Sequence, residues 1–175
     1  MKQTCLALLI AAALSSPAWA RPATPAAPAQ VFISPSGEPF RPSAAAPAPF
    51  EAWFARVDAN HDRRIDRAEF GADARAFFKV LDADGDGVID GFEVTAYESR
   101  IAPELAARAE GAGPAALLDD PEPVSDADLA LSSRIPLAGW LRVTDRRFDL
   151  LDPKRQGWLD HDALLARLPR KARPR

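Results

Sequence analysis

The sequence predicts an all-α fold, a domain of helix–loop–helix units behind a proline-rich tether, and three observations carry that prediction. Two twelve-residue stretches, 58–69 and 82–93, place oxygen-bearing side chains at alternate positions and close on a glutamate. The apolar residues flanking them recur at the spacing of a helix face rather than of a strand. The interval between the two stretches, 24 residues from Asp58 to Asp82, recurs downstream from Asp128 to Asp152.

Taken in chain order, Met1 to Ala20 carries Lys2, an apolar run from Leu6 to Leu14 and the triplet Ala18, Trp19, Ala20, the features of a cleavable secretory signal. The run is too short for a bilayer span, which takes about 20 apolar residues. Cleavage after Ala20 removes the only cysteine, Cys5, and with Lys2 gone the net charge moves from −3 to −4. An exported chain without disulfides must be held by its core, by metal, or by both. Residues 21–49 hold eight of the seventeen prolines among alanines and serines, a composition that buries little and predicts a disordered, extended tether. Val31, Phe32 and Ile33 interrupt it and are read as part of that tether, with docking to a partner or back onto the domain as alternatives.

From residue 50 the helical pattern begins. Phe50, Trp53, Phe54 and Val57 share one face of a leading helix, and Phe70, Ala74, Phe77, Phe78 and Leu81 one face of the next. Val94, Tyr97, Ile101 and Leu105 continue the pattern. These side chains are read as core; with Met1 the only methionine, an adaptable methionine-rich target groove is disfavoured.

The stretch 82–93 is the more complete of the two. Asp82, Asp84, Asp86 and Asp90 occupy positions 1, 3, 5 and 9, Val88 offers its backbone carbonyl at position 7, and Glu93 closes the loop at position 12 with two oxygens. Gly87 stands at position 6, where the chain turns through a conformation cheap only without a Cβ. Ile89 at position 8 points to the core. The stretch resembles an EF-hand calcium loop. The stretch 58–69 is similar to the same family through Asp58, Asn60, Asp62, the carbonyl of Arg64, Asp66 and Glu69, with Ile65 as the core residue. It departs at position 6, where Arg63 replaces glycine, so this loop is expected to bind more weakly. The cofactor implied is Ca²⁺, since a bidentate glutamate and a backbone carbonyl suit it better than rigid octahedral Mg²⁺, and the usual zinc ligands are missing.

Downstream, Asp152 opens a stretch with Gly157, Leu159 and Asp160 at positions 6, 8 and 9, but with Lys154, Gln156 and Ala163 in place of ligands. Asp128 opens another, in which Ile135 keeps position 8 while Pro136 and Gly139 stand at positions 9 and 12. An offset of 70 superposes Phe70, Phe78, Leu81 and Asp82 on Trp140, Phe148, Leu151 and Asp152. The domain 50–168 is therefore read as a duplicated pair of hands, the metal-competent pair within 50–110 and the degenerate pair within 124–168, around a Gly- and Pro-rich connector at 111–123. Residues 70–81 allow only one helix between the first two loops, which predicts crosswise pairing: second loop with third, first with fourth. Contact between Ile89 and Ile135 marks that arrangement; contact between Ile65 and Ile89, after a break at Gly71, marks its rival. The last residues, 169–175, form a basic tail.

The chain resembles small exported bacterial EF-hand domain proteins, which implies a periplasmic or secreted calcium-binding protein taking about two ions as a sensor or structural brace. The alternative is a calcium-stabilised interaction module that meets an envelope protein through the tether or tail. Neither nucleic-acid binding nor a transmembrane segment in the mature chain is expected. No enzymatic role is expected either: the only histidines, His61 and His161, are read as solvated, and no nucleophile motif accompanies them.

Overall fold

A computed structural model of the chain describes residues 30–105, 116–118, 124, 127 and 134–168. In order, these form β1 (Phe32–Ile33), β2 (Pro39–Phe40), α1 (Pro49–Val57), β3 (Arg64–Asp66), α2 (Arg67–Leu81), β4 (Val88–Asp90), α3 (Gly91–Ala96) running into a π turn (Tyr97–Ile101), β5 (Ala116–Leu117), β6 (Arg134–Pro136), α4 (Leu137–Leu151), β7 (Trp158–Asp160) and α5 (His161–Arg167). The expected signal segment, the tether before residue 30, most of the connector, Asp128 and the basic tail lie outside the described residues. No described helix is long and apolar enough to cross a membrane.

The helices start where the sequence supplies caps. Pro49 opens α1, its fixed φ suited to a first turn. Asp66 caps α2 by accepting from the Glu69 amide at 2.8 Å, while Glu69 Oε2 accepts from the Asp66 amide at 2.9 Å. Asp90 and Glu93 repeat this reciprocal box at the start of α3.

Helices α2 and α4 form the antiparallel spine. Phe70, early in α2, meets Phe148, late in α4, with ring centroids 5.5 Å apart; Phe78, late in α2, meets Trp140, early in α4, at 6.0 Å. The Trp140 indole N–H donates to the Ala74 carbonyl at 2.9 Å, which allows a large ring to be buried without an unpaired donor. Two apolar clusters lie at opposite ends of this spine. One gathers Phe77, Phe78, Ile89, Tyr97, Ile135 and Trp140; the other gathers Phe50, Trp53, Ile65, Phe70, Phe148 and Leu159.

The all-α expectation needs correcting, because short strands tie the loops together. Strand β4 pairs antiparallel with β6, placing Ile89 opposite Ile135, and β3 pairs antiparallel with β7, placing Ile65 opposite Leu159. Contact between Ile89 and Ile135 is the one that separates crosswise pairing from direct pairing of the first two loops.

The disordered-tether expectation is also overturned for residues 30–49. Strand β1 pairs antiparallel with β2 and parallel with β5. Phe32, 2% exposed, enters one cluster and Ile33, 0% exposed, enters the other, so the segment bridges both ends of the core. Its polar groups are satisfied from the helices: the Tyr97 hydroxyl donates to the Gly37 carbonyl at 2.9 Å, Arg147 donates to the Pro35 carbonyl at 3.0 Å, and Arg56 pairs with Glu38 at 2.6 and 2.8 Å. Proline-rich composition limits helix formation but does not prevent a short apolar strand from filling a gap between larger elements.

Candidate metal centre

Loop 82–93 begins where α2 ends, with the Asp82 amide donating to the Phe78 carbonyl at 2.8 Å. Gly85 and Gly87, at φ +75° and +83°, then fold the chain back on itself. The turn brings backbone amides onto the carboxylates: Gly87 donates to Asp82 Oδ2 at 3.1 Å, Asp86 to Asp84 Oδ1 at 3.1 Å and Val88 to Asp86 Oδ1 at 2.8 Å. Glu93 reaches back from α3, Oε1 accepting from the Ala83 amide at 2.7 Å and Oε2 from the Asp90 amide at 2.9 Å. The closing carboxylate thereby ties the first residues of the loop to its last.

This leaves three carboxylates crowded. Asp82, Asp84 and Asp86 each offer an oxygen within 4.8 Å of the others. Asp82 Oδ1 is buried and, among the described residues, has no hydrogen-bond partner. An orphaned anionic oxygen is costly, since it has left water without compensation. An all-oxygen donor set with converging negative charge fits a hard divalent cation, and Ca²⁺ bound there would supply the missing partner to Asp82 Oδ1 and offset the repulsion among the three acids.

Loop 58–69 repeats the scaffold with a different balance. Asp58 is buried, and both its oxygens accept backbone amides, Oδ1 from Asp62 at 3.1 Å and Oδ2 from Arg63 at 3.0 Å. Asn60 Oδ1 accepts from the Asp62 amide at 3.0 Å, its Nδ2 donates to Asp62 Oδ2 at 3.3 Å, and Asp62 Oδ1 accepts from the Arg64 amide at 2.9 Å. Glu69 Oε1 accepts from the Ala59 amide at 3.0 Å, as Glu93 does from Ala83. Arg63 keeps the left-handed turn at φ +64° despite its Cβ, at a cost of about 1 kcal/mol relative to glycine. Both Asp58 oxygens already carry an amide, whereas in 82–93 one oxygen of Asp82 carries none.

All twelve residues singled out from the sequence thus fall in two turn–strand–helix segments of the same build, and among the described residues the acids whose oxygens converge are Asp82, Asp84 and Asp86. Arg64 and Val88, expected to contribute carbonyls, lie in β3 and β4, opposite Asp160 and Pro136.

Loop 152–163 has the same turn without the acids at positions 3, 5 and 12, where Lys154, Gln156 and Ala163 stand. Asp152 Oδ1 accepts from the Gln156 amide at 3.0 Å and Oδ2 from the Gly157 amide at 2.7 Å, with Arg155 and Gly157 at φ +53° and +87°. Burial alone would raise the Asp152 carboxyl, but these amides hold it below the usual carboxylate range. The loop satisfies its first aspartate internally and offers no cage.

His61 is exposed as expected, but His161 is not solvated: it is 8% exposed, packed edge-on against Phe54 at 4.7 Å and beside Phe50 at 5.5 Å. Its Nε2 lies 2.8 Å from Glu51 Oε2 and its Nδ1 2.7 Å from Asp162 Oδ1. Burial opposes the charged ring, yet the two carboxylates outweigh it and raise its pKa. Glu51 and Asp162 carry no motif, and they stand 110 residues and one residue from His161, so spacing gave no signal for this cluster.

Residues 50–72 and 74–94 match a family model described as EF hand. A comparison with curated proteins finds no match.

Proposed function

Residues 50–94 belong to the EF-hand family, and on that premise we propose that the chain is an exported calcium-binding protein that takes one ion in loop 82–93 and a second, more weakly, in loop 58–69. The observation that carries this reading is Asp82 Oδ1, buried and unpartnered beside Asp84 and Asp86. The ligands proposed are Asp82, Asp84, Asp86, the Val88 carbonyl, Asp90 and Glu93 in the stronger site, and Asp58, Asn60, Asp62, the Arg64 carbonyl, Asp66 and Glu69 in the weaker. The stretches opened by Asp128 and Asp152 are the degenerate partners of this pair. Export rests on the signal-like pattern of residues 1–20.

In this reading the ion is a brace that a change in calcium turns into a sensor. Extracellular modules of this build work at dissociation constants of about 10⁻⁴ to 10⁻³ M, and an ion at ten times its dissociation constant adds roughly 1.4 kcal/mol per site. The rival, an interaction module acting through the tether, loses its apolar triplet, because Phe32 and Ile33 are consumed by the core.

Calorimetric titration of calcium into the metal-free chain, with tryptophan fluorescence followed alongside, tests the proposal. Two binding events are expected, the tighter abolished by Glu93→Gln and the weaker by Glu69→Gln. No heat at millimolar calcium would refute it.

A further inference from the structure

We infer that the fourth, ligand-poor hand keeps the first calcium loop in working shape by anchoring Arg63, the residue that stands where the turn calls for glycine, onto Asp162 of α5. The inference rests on the reading of 58–69 as a calcium loop and adds to it a regulator of its affinity.

Arg63 holds φ +64°, a conformation its Cβ disfavours. What offsets that lies 98 and 99 residues away. One terminal nitrogen of its guanidinium donates to Asp162 Oδ1 at 2.9 Å. Its backbone carbonyl accepts from the His161 amide at 3.3 Å, extending the β3–β7 ladder by one bond. Side chain and main chain of the turn residue are therefore both fixed by the start of α5.

Asp162 is itself held. Both ring nitrogens of His161 face carboxylates, Nδ1 toward Asp162 and Nε2 toward Glu51, an arrangement that suits a ring protonated on both nitrogens. Arg63 and His161 thus meet at one oxygen of Asp162, whose pKa is depressed chiefly by the His161 hydrogen bond and further by Arg63. The result for the first loop is that the positive charge at its turn is neutralised on α5 instead of competing with an incoming ion for Asp58 and Asp62. A fourth hand poor in ligands of its own thus has a role: it supplies the partner that lets a non-glycine residue occupy position 6.

The test is a double-mutant cycle in the full chain with the second loop silenced by Glu93→Gln. Asp162→Asn is expected to weaken the remaining calcium site roughly two- to five-fold, the range of exposed ion pairs. In an Arg63→Gly background the same change is expected to do nothing, because glycine needs no anchor. Weakening of equal size in both backgrounds, or in neither, overturns the inference. A second arm needs no metal: in the calcium-free protein the effects of Asp162→Asn and Arg63→Gly on the thermal midpoint are expected to be non-additive. Additive midpoints overturn the anchor, whereas absence of calcium binding with non-additive midpoints removes the functional reading and leaves the anchor standing.

Discussion

Ile89 lies opposite Ile135 across the β4–β6 ladder, both buried, and the offset of 70 that relates the two halves of the sequence maps this pair onto Leu159 opposite Ile65. The same operation exchanges the Phe70–Phe148 contact with the Trp140–Phe78 contact along the α2–α4 spine. A twofold-like relation between the halves follows: each acid-bearing loop shares a strand pair with a loop from the other half, and the two ladders sit in separate apolar clusters at opposite ends of α2. That separation allows one loop to be perturbed without the other.

Ile135→Ala should show this. Removing a fully buried isoleucine costs about 2 to 5 kcal/mol, read as a lower urea midpoint. Calcium affinity should fall at 82–93 and hold at 58–69.

Phe32→Ala and Ile33→Ala separate a packed segment from a tether. Each should destabilise by about 2 to 5 kcal/mol in urea unfolding, since each side chain is buried in a cluster. Residues in a disordered tether would change stability by less than about 0.5 kcal/mol.

Glu93→Gln removes the negative charge of the carboxylate that spans Ala83 and Asp90 and leaves an acceptor oxygen for only one of their two amides. Calcium affinity at that loop should fall by at least about tenfold, with helix content in the metal-free state little changed. Circular dichroism beside the titration checks both parts.

His161 gives a pH signature of known sign. Its folded pKa is raised, so its contribution to stability is complete below the unfolded value of about 6.5 and is lost as pH rises through the folded value. The difference in urea midpoint between the parent chain and His161→Gln should therefore be larger at pH 5.5 than at pH 8.5. The His161 ring resonances, followed by NMR, should titrate above the ordinary histidine value of about 6.5.

The loops were legible because their chemistry is local: six ligand positions, a glycine and a capping box fall within twelve residues, as at Asp82 to Glu93. The partner of each loop was legible because residues 70–81 leave room for only one helix between the first two loops, which keeps them apart. Strand β1 was not legible, since two residues between prolines carry no period, and what orders them is a gap between two clusters assembled from distant segments. The burial of His161 was hidden for the same reason: Glu51, Arg63 and Phe54 approach it only after β3 and β7 pair. Arg63 looked like a defect in a glycine position because its compensation lies on another hand.

The proposed function stands on calcium at Asp82 Oδ1 in loop 82–93. A crystal structure grown in millimolar calcium, with the ion identified by its anomalous signal, addresses this. An ion is expected at about 2.3 to 2.6 Å from Asp82 Oδ1, with Asp84, Asp86, the Val88 carbonyl, Asp90 and Glu93 making up the rest of the shell. A loop with Asp82 Oδ1 bonded to a water or an amide and no ion at that calcium level would contradict it.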